Sequence, residues 1–302
     1  MPNYLVLIAF AATLGAACDS DDPIENNGAD ATTATATSLI SYSDVTLPDL
    51  GSDYVYEGWL IVDDAPVTAG RFTVDANGVM TPAEFSVDAD EAERASLFVL
   101  TVEPATGDAP EPASTHILAG AISGGASSLV TDHPAALNTD FAAAAGSYIL
   151  ATPTTGDDTV QEQGIWWLSP GDPATAGLDL PTLPDGWVYE GWIVGADGPV
   201  STGRFTDAAA TDGDGAGSTK GPVGDGPPFP GQDFITPATV LNDGATVAVI
   251  SVEPEPDNAA APFLIKPLVH DPIGTAVAPT EHTMVNNAAA TLPAATIQIA
   301  AE

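Results

Sequence analysis

The chain is poor in basic residues: Arg71, Arg94, Arg204, Lys220 and Lys266 are the only five among 302, against 42 acidic residues. The formal net charge is therefore −37, although only 16% of the residues are charged. Five scattered cations do not make the positive surface that attracts nucleic acids or anionic membranes. This scarcity argues against a nucleic-acid partner and against a polybasic membrane contact.

Cysteine and long apolar runs are also scarce. Cys18 is the single cysteine, so no disulfide can form within the chain. The apolar stretch 4–17 suits a signal peptide and is short of the ~20 residues that a spanning helix needs. Small residues followed by Cys18 resemble a bacterial lipoprotein signal, in which the chain is cut before the cysteine and the cysteine is acylated. An ordinary secretory signal with an unpaired cysteine is the alternative.

The N-terminal region is therefore interpreted as an export and anchoring device. We expect a signal peptide at 1–17, lipidation of Cys18, and a disordered low-complexity tether at 18–45. The body would then be exported to the cell envelope and attached through its lipid to a membrane facing the periplasm or the exterior.

Catalytic signatures are missing as well. The sequence contains no G-x-S-x-G and no H-E-x-x-H motif, and its four histidines are dispersed. We therefore expect a protein that is not an enzyme, has no catalytic residues and needs no cofactor. A hydrolase that uses paired carboxylates stays as a distant alternative.

An internal duplication is the strongest positive signal. Residues 47–73 and 180–206 align without a gap, with 15 of 27 positions identical. The match resumes at Thr101–Pro104 and Ser251–Pro254, after a segment that is about 17 residues longer in the second copy. Two copies are too few for a solenoid, so tandem domains are expected.

Each copy has the pattern of β structure. Runs rich in Val, Ile and Trp alternate with turns rich in Gly and Pro, and residues 55–62 and 67–72 flank a turn at 63–66. The sequence predicts an all-β fold of two tandem antiparallel β-sandwich domains. Copy 1 spans 46–152 and copy 2 spans 180–302, with a connector at 153–179 that holds a strand-like piece at 164–168.

The shared motifs of copy 1 are Tyr56-Glu57-Gly58-Trp59-Leu60-Ile61, Pro66-Val67, Gly70-x-Phe72, Val102-Glu103-Pro104 and Leu118-Ala119-Gly120. Together they resemble the extracytoplasmic C-terminal domain of anti-sigma-K factors. Copy 2 departs at the last motif, where Phe263-Leu264-Ile265-Lys266 stands in its place. The resemblance implies a β-sandwich. Such regulators also carry a sigma-binding helical domain and a spanning helix, which this sequence does not predict, so sigma-factor binding is not carried over.

Three polar positions recur in both copies. In a hairpin that folds at 63–66, the acid of the first strand lies opposite or diagonal to the arginine of the second strand, close enough to pair. We therefore predict structural ion pairs that fix strand register, formed by Glu57, Arg71, Glu103, Glu190, Arg204 and Glu253. The alternative is acid–base chemistry by a Glu57/Glu103 carboxylate pair.

The extra segment of copy 2, residues 207–233, is acidic and rich in Gly and Pro. Carboxylates on glycine-rich turns suit Ca²⁺, which leads to a candidate calcium site at Asp207, Asp212, Asp214, Asp225 and Asp233. The spacing does not match an EF-hand, so a solvated acidic loop is the alternative interpretation.

Three functions remain open at this point. The first is a lipid-anchored envelope protein that binds or scaffolds an unknown envelope partner, and the second is an extracytoplasmic sensor component of an anti-sigma-type system. The third is the carboxylate-dependent hydrolase. The acidity itself is interpreted as adaptation to salt, since acids are spread through both copies and basic residues are depleted everywhere.

Overall fold

Antiparallel strands dominate the computed structural model, which describes residues 36–256 and 259–302. The longest helix in this part of the chain has six residues, so the all-β prediction is confirmed. The predicted signal peptide at 1–17, Cys18 and most of the predicted tether lie outside the described residues.

The strands run along the whole described part of the chain. Up to residue 150 they are β1 Thr37–Ser43, β2 Tyr54–Val62, β3 Ala65–Val74, β4 Met80–Thr81, β5 Glu84–Asp88, β6 Ala95–Pro104, β7 His116–Ala121, β8 Ala126–Leu129 and β9 Ala145–Leu150. The later ones are β10 Gly164–Trp166, β11 Leu168–Ser169, β12 Thr175–Ala176, β13 Leu178–Asp179, β14 Trp187–Gly195, β15 Gly198–Phe205, β16 Gly231–Asp233, β17 Val247–Pro254, β18 Leu268–His270, β19 Glu281–Thr283, β20 Val285–Asn286 and β21 Ala295–Ala301.

Two short α-helices interrupt this pattern. Helix α1 spans Ala89–Arg94, and the side chain of Asp88 caps it by accepting hydrogen bonds from the backbone N–H groups of Asp90 and Glu91. Helix α2 spans Ala288–Thr291, just before the last strand. A single 3₁₀ turn lies at Gln161–Gln163.

The predicted hairpin forms at the expected place. Val62 pairs with Ala65, which leaves Asp63 and Asp64 as a two-residue loop, and both have positive φ (51° and 66°). Such left-handed pairs match the twist of the strands that they join, and Asp tolerates this backbone better than most residues. In copy 2 the corresponding hairpin joins β14 and β15, with Gly195 paired to Gly198.

Copy 1 is a sandwich of two sheets. One has the strand order β4-β3-β2-β6-β7 and the other the order β5-β1-β21-β8. The ring of Tyr42 on β1 lies 5.2 Å from that of Phe72 on β3 and 6.0 Å from that of Phe98 on β6, measured between ring centroids. These contacts place the core between the two sheets.

Copy 2 repeats this plan. Its first sheet has the order β15-β14-β17-β18-β20, and its second has the order β13-β9-β10-β16 with β19 also paired to β9. Tyr148 on β9 packs against Trp167 and against His270 on β18, which brings the two sheets together.

The last strand of each copy lies in the other copy's sandwich. Strand β9, at the end of copy 1, pairs with β10 and β19 of the second sandwich. Strand β21, at the end of copy 2, pairs with β1 and β8 of the first. Because of this reciprocal exchange, the copies share one core and belong to one compact unit, Thr35–Glu302, whereas the duplication predicted two tandem domains.

The predicted disordered tether at 18–45 is wrong at its C-terminal end, where strand β1 forms. Residues Thr37–Ser43 pair with β5 on one side and with β21 on the other, and Ile40 is completely buried. The composition of the segment hid this strand, since four of its seven residues are Ser or Thr and only Leu39, Ile40 and Tyr42 have large side chains.

Strand pairing also corrects the alignment of the last motif. Leu118 pairs with Leu100 in copy 1, and Leu268 pairs with Ile250 in copy 2. The counterpart of Leu118-Ala119-Gly120 is therefore Leu268-Val269-His270, not Phe263-Leu264-Ile265-Lys266. The offset of 150 found at Val102-Glu103-Pro104 persists, and Lys266 occupies the position of His116.

Candidate functional site

The predicted hairpin register brings Glu57 and Arg71 together. The two residues are direct cross-strand partners, and Arg71 Nε lies 3.4 Å from Glu57 Oε2. The same guanidinium lies 3.4 Å from Asp108 and donates a hydrogen bond to the carbonyl of Pro104. Asp108 was not predicted, because it lies in a loop that has no equivalent motif in copy 2.

Copy 2 keeps the register, and a further acid lies near its arginine. Glu190 and Arg204 are cross-strand partners, and Arg204 Nη1 lies 3.5 Å from Glu255. In both hairpins a hydroxyl group supports the buried glutamate: Thr68 Oγ1 donates to Glu57 (2.5 Å), and Ser201 Oγ donates to Glu190. The same hydroxyls accept the backbone N–H of Gly70 and Gly203, so each acid is tied to the β-bulge beside it.

Glu103 is a hydrogen-bond acceptor, and in the part of the chain that the structure describes it has no cation within ion-pair distance. Its Oε1 accepts the hydroxyl of Thr101 (2.5 Å) and the backbone N–H of Ala113 (2.8 Å). Thr101 in turn accepts the indole N–H of Trp59 at 2.9 Å. The ion-pair prediction for Glu103 is therefore corrected.

Glu253 has the same surroundings in copy 2. It accepts the hydroxyl of Ser251 and the backbone N–H of Phe263 (2.8 Å), while Trp192 donates its indole N–H to Ser251 (2.8 Å). The chain Trp–hydroxyl–Glu is thus duplicated. Trp together with Thr or Ser at matching positions of both copies is the sequence signal from which this arrangement could have been found.

Burial governs the chemistry of Glu103. The residue is completely buried, and burial raises the pKa of its carboxyl in spite of the hydrogen bonds from Thr101 and Ala113. Its Oε2 atom has no hydrogen-bond partner among residues 36–256 and 259–302. The carboxyl of Glu103 therefore lies inside the protein core and not on its surface.

The extra segment of copy 2 is packed against the body. Trp166 and Trp167 are both completely buried, and they belong to different clusters of the core. Trp167 points into the main core and donates to Thr202 (3.0 Å), whereas Trp166 packs with Ala216 and Phe229 of the extra segment. Residues 212, 216, 217 and 229–233 of the segment are buried, while most of its other residues are exposed, so the solvated-loop interpretation holds for only part of it. Trp166 lies under the buried part.

The five aspartates of this segment do not converge on a metal. Among the described residues, no group of three or more His, Cys, Asp or Glu side chains is placed to hold a metal ion. Asp233 is fully buried and accepts hydrogen bonds from Thr154 and Trp166, and Asp225 pairs with Lys220. Asp207 caps a turn by accepting the N–H of Ala209. The calcium prediction is corrected accordingly.

Asp212 anchors the extra segment to the copy 2 hairpin. Its carboxyl accepts hydrogen bonds from the backbone N–H groups of Gly231 (2.9 Å) and Asp214 (3.2 Å). A Cβ on Gly203, which has a φ of +108°, would lie 2.4 Å from the Asp212 carboxyl carbon, so only glycine permits this contact. Burial raises the pKa of Asp212 to about 7, and the nearby Asp214 charge adds to the shift.

Two histidines that sequence reasoning described as dispersed lie together in copy 2. The rings of His270 and His282 are 5.6 Å apart between centroids, and Tyr148 stacks on His282 at 4.9 Å and hydrogen-bonds His270 Nδ1 at 2.7 Å. Burial lowers the pKa of both imidazoles. Since β9 and Tyr148 come from copy 1, only the strand exchange creates this cluster.

Three of the cavities bear on function. Two adjoin Arg204: one of about 430 Å³ is lined by Glu190, Ser201 and Asp214, and one of about 390 Å³ by Asp212 and Glu255. The third, of about 360 Å³, is mostly apolar and lies between the copies, with Tyr54 on one side and Phe263 on the other.

In the described part of the chain, no helix is long and apolar enough to cross a membrane. Among known families, the model for the C-terminal domain of the anti-sigma-K factor rskA matches residues 7–117. The match includes β1 through β6 and ends inside β7, so it confirms the resemblance predicted for copy 1. No curated protein and no solved structure matches the chain.

Proposed function

We propose that this chain is an exported, lipid-anchored, non-enzymatic envelope protein whose β-sandwich body binds another envelope component. The observation that carries the proposal is the similarity of residues 7–117 to the C-terminal domain of an anti-sigma-K factor, a domain that lies outside the cytoplasm in those regulators. The proposal concerns this extracytoplasmic role and does not include binding of a sigma factor.

The burial and hydrogen bonding of the duplicated carboxylates support a binding function over a catalytic one. Glu103 and Glu253 are both fully buried and accept hydrogen bonds from neighbouring hydroxyl and backbone groups. Glu57 and Glu190 are almost completely buried beside the β-bulges. Acids that serve as internal acceptors fix a surface in place, which suits a recognition module.

Anchoring is tested at Cys18. The full-length chain and its Cys18→Ala variant are expressed in a bacterial host, labelled with an alkyne fatty acid and separated into membrane and soluble fractions. We expect label and membrane association for the natural chain and neither for the variant. Equal membrane association of both proteins, or unlabelled natural protein, would refute the lipid anchor.

Partner binding is tested by crosslinking in native membranes, followed by purification of the full chain and identification of what is attached. The proposal is supported if one envelope protein is crosslinked to the chain and if added purified β-sandwich body prevents that crosslink. If an unrelated acidic envelope protein of similar charge captures the same set of proteins, specific binding is refuted.

A second candidate function is the sensor component of an anti-sigma-type signalling system, which the same family similarity favours. In that case, deletion of the chain changes transcription from the promoters that the associated sigma factor controls. Reintroduction of the natural chain restores the response. An envelope stress response that is identical with and without the chain would refute this candidate.

A further inference from the structure

The apolar cavity between the copies is the starting point. It has a volume of about 360 Å³, and its walls come from both halves of the molecule. Leu50, Tyr54 and Val102 contribute from copy 1, and Pro254 and Phe263 contribute from copy 2. The size and lining are those of a site for a small molecule.

Lys266 gives this cavity one charged wall. The other four basic residues of the chain each have at least one carboxylate within 4 Å: Asp108 and Glu57 for Arg71, Asp63 for Arg94, Glu255 for Arg204 and Asp225 for Lys220. Among the described residues, Lys266 is the one cation without such a partner, in a molecule with 42 acids. The ammonium of Lys266 donates a 3.5 Å hydrogen bond to the carbonyl of Leu264, which leaves its charge without an anionic partner. A half-buried cation in this state is unfavourable, so its position calls for an anion.

Two acids lie in the neighbourhood of this lysine. The charge of the buried Glu253 favours the protonated lysine from beyond ion-pair distance, while burial lowers the lysine pKa. Asp49 is exposed at the cavity wall, where its carboxyl accepts the backbone N–H of Gly51. An anion on Lys266 is therefore accommodated, and a second negative charge near Asp49 is repelled.

The cavity is fixed in place by the surrounding fold. The hydroxyl of Tyr54 donates to the carbonyl of Pro256 at 2.8 Å, which joins copy 1 to copy 2 beside the cavity. The backbone of Lys266 is held by Thr291 and Asn287 near helix α2. Copy 1 has His116 at the position of Lys266, and His116 is bonded to the carbonyl of Ala135, so this arrangement belongs to copy 2 alone.

We propose that this cavity binds a small amphipathic monocarboxylate, with its hydrocarbon part between Tyr54 and Phe263 and its carboxylate on the ammonium of Lys266. This inference goes beyond the proposed function, because it can be tested on the purified chain without any partner. A bound ligand would touch both copies and hold them together, so binding is also expected to stabilise the whole unit.

The experiment compares octanoate, octanol and octylamine by calorimetry and by thermal melting of the purified chain. The titrations are done at about 1 M NaCl, where the Debye length of about 3 Å screens the negative charge of the protein. We expect octanoate to bind about tenfold more tightly than octanol, and the difference in affinity between octanoate and octylamine to be larger still. Octanoate should also raise the melting temperature. Octanoate that binds no better than octanol would overturn the proposal.

Variants separate the head-group contact from the cavity. Lys266→Met keeps the length of the side chain and should bring octanoate down to the affinity of octanol, while Lys266→Arg should retain most of the preference. Lys220→Met, at an exposed lysine, is the matched control and should leave binding unchanged. Ala261→Phe fills the cavity and should abolish binding of all three probes. Unchanged octanoate affinity in Lys266→Met, or in a folded Ala261→Phe variant, would refute the site.

Discussion

At the scale of single residues, the contacts of Arg71 make its role testable. Replacing it with Met keeps the aliphatic stem but leaves Glu57, which is 6% exposed, without its cation. Loss of the ion-pair partner of a buried carboxylate costs about 1–3 kcal/mol. We therefore expect Arg71→Met to lower the melting temperature clearly. Arg94→Met, which breaks an exposed pair with Asp63, should change stability by less than about 1 kcal/mol.

The outcome for this pair is decided by comparing the two variants. Equal melting temperatures for Arg71→Met and the natural protein would refute the structural role of the pair. Equal losses in both variants would instead indicate a general effect of removing positive charge from an acidic molecule.

Asp212 offers a second prediction at this scale, because its pKa of about 7 lies above the ordinary value of 3.8. Between about pH 4 and pH 7 the folded protein holds a proton that the unfolded chain has released, so this group's contribution to stability falls as the pH rises. We expect Asp212→Asn to gain in melting temperature relative to the natural protein across this window and to stay more stable above it.

The difference between the two proteins is the quantity to measure. His270 and His282 act in the opposite direction, since their lowered pKa values make stability fall as the pH drops, but their contribution cancels in the comparison. Asp207→Asn, at an exposed position of the same segment, is the control. A difference that does not vary with pH would contradict the raised pKa of Asp212.

At the scale of elements, the exchanged strand β21 makes copy 1 depend on the end of the chain. Ile297 is completely buried on β21, while the neighbouring Gln298 faces outward. Ile297→Ala should cost about 2–5 kcal/mol, and Gln298→Ala much less. Because β21 pairs with β1 and β8, hydrogen exchange should accelerate in Thr37–Ser43 and Ala126–Leu129.

The same experiment can contradict the exchange. If Ile297→Ala instead accelerates exchange mainly in β14 and β17, the first sheet of copy 2, the last strand does not belong to the first sandwich. If β1 keeps its natural protection from hydrogen exchange in a folded Ile297→Ala variant, the exchange of β21 is likewise contradicted.

The hairpins and their register were predictable from the local sequence, whereas the pairing of strands between the copies was not. The hairpin at 63–66 and the register of Glu57 with Arg71 followed from turn chemistry and alternation, which act between neighbouring residues. The exchange of β9 and β21 did not, because Ala145–Leu150 reads equally well as a strand of either sandwich. Similarly, the cluster of Tyr148, His270 and His282 depends on strand pairing between the copies, which the local sequence does not predict.

At the scale of the whole molecule, the reciprocal exchange predicts cooperative unfolding. Two independent tandem domains would unfold in separate transitions, whereas removal of either exchanged strand exposes the core of the other copy. Calorimetry of residues 36–302 should therefore give one transition, and a fragment of residues 36–153 should not fold to the same extent. Two transitions at clearly different temperatures, or a stably folded fragment, would contradict this view.

The net charge of −37 acts on the same scale and sets the last prediction. Self-repulsion among acids spread over both copies opposes the compact state, and salt screens it as the Debye length falls from about 10 Å at 0.1 M to about 3 Å at 1 M. We expect the melting temperature at neutral pH to rise steadily over this range of NaCl. Near the isoelectric point of about 4.1 the net charge is small, so the same increase in NaCl should change the melting temperature little at that pH. A salt response of equal size at both pH values would assign the effect to general salting-out, and no response at neutral pH would refute salt adaptation.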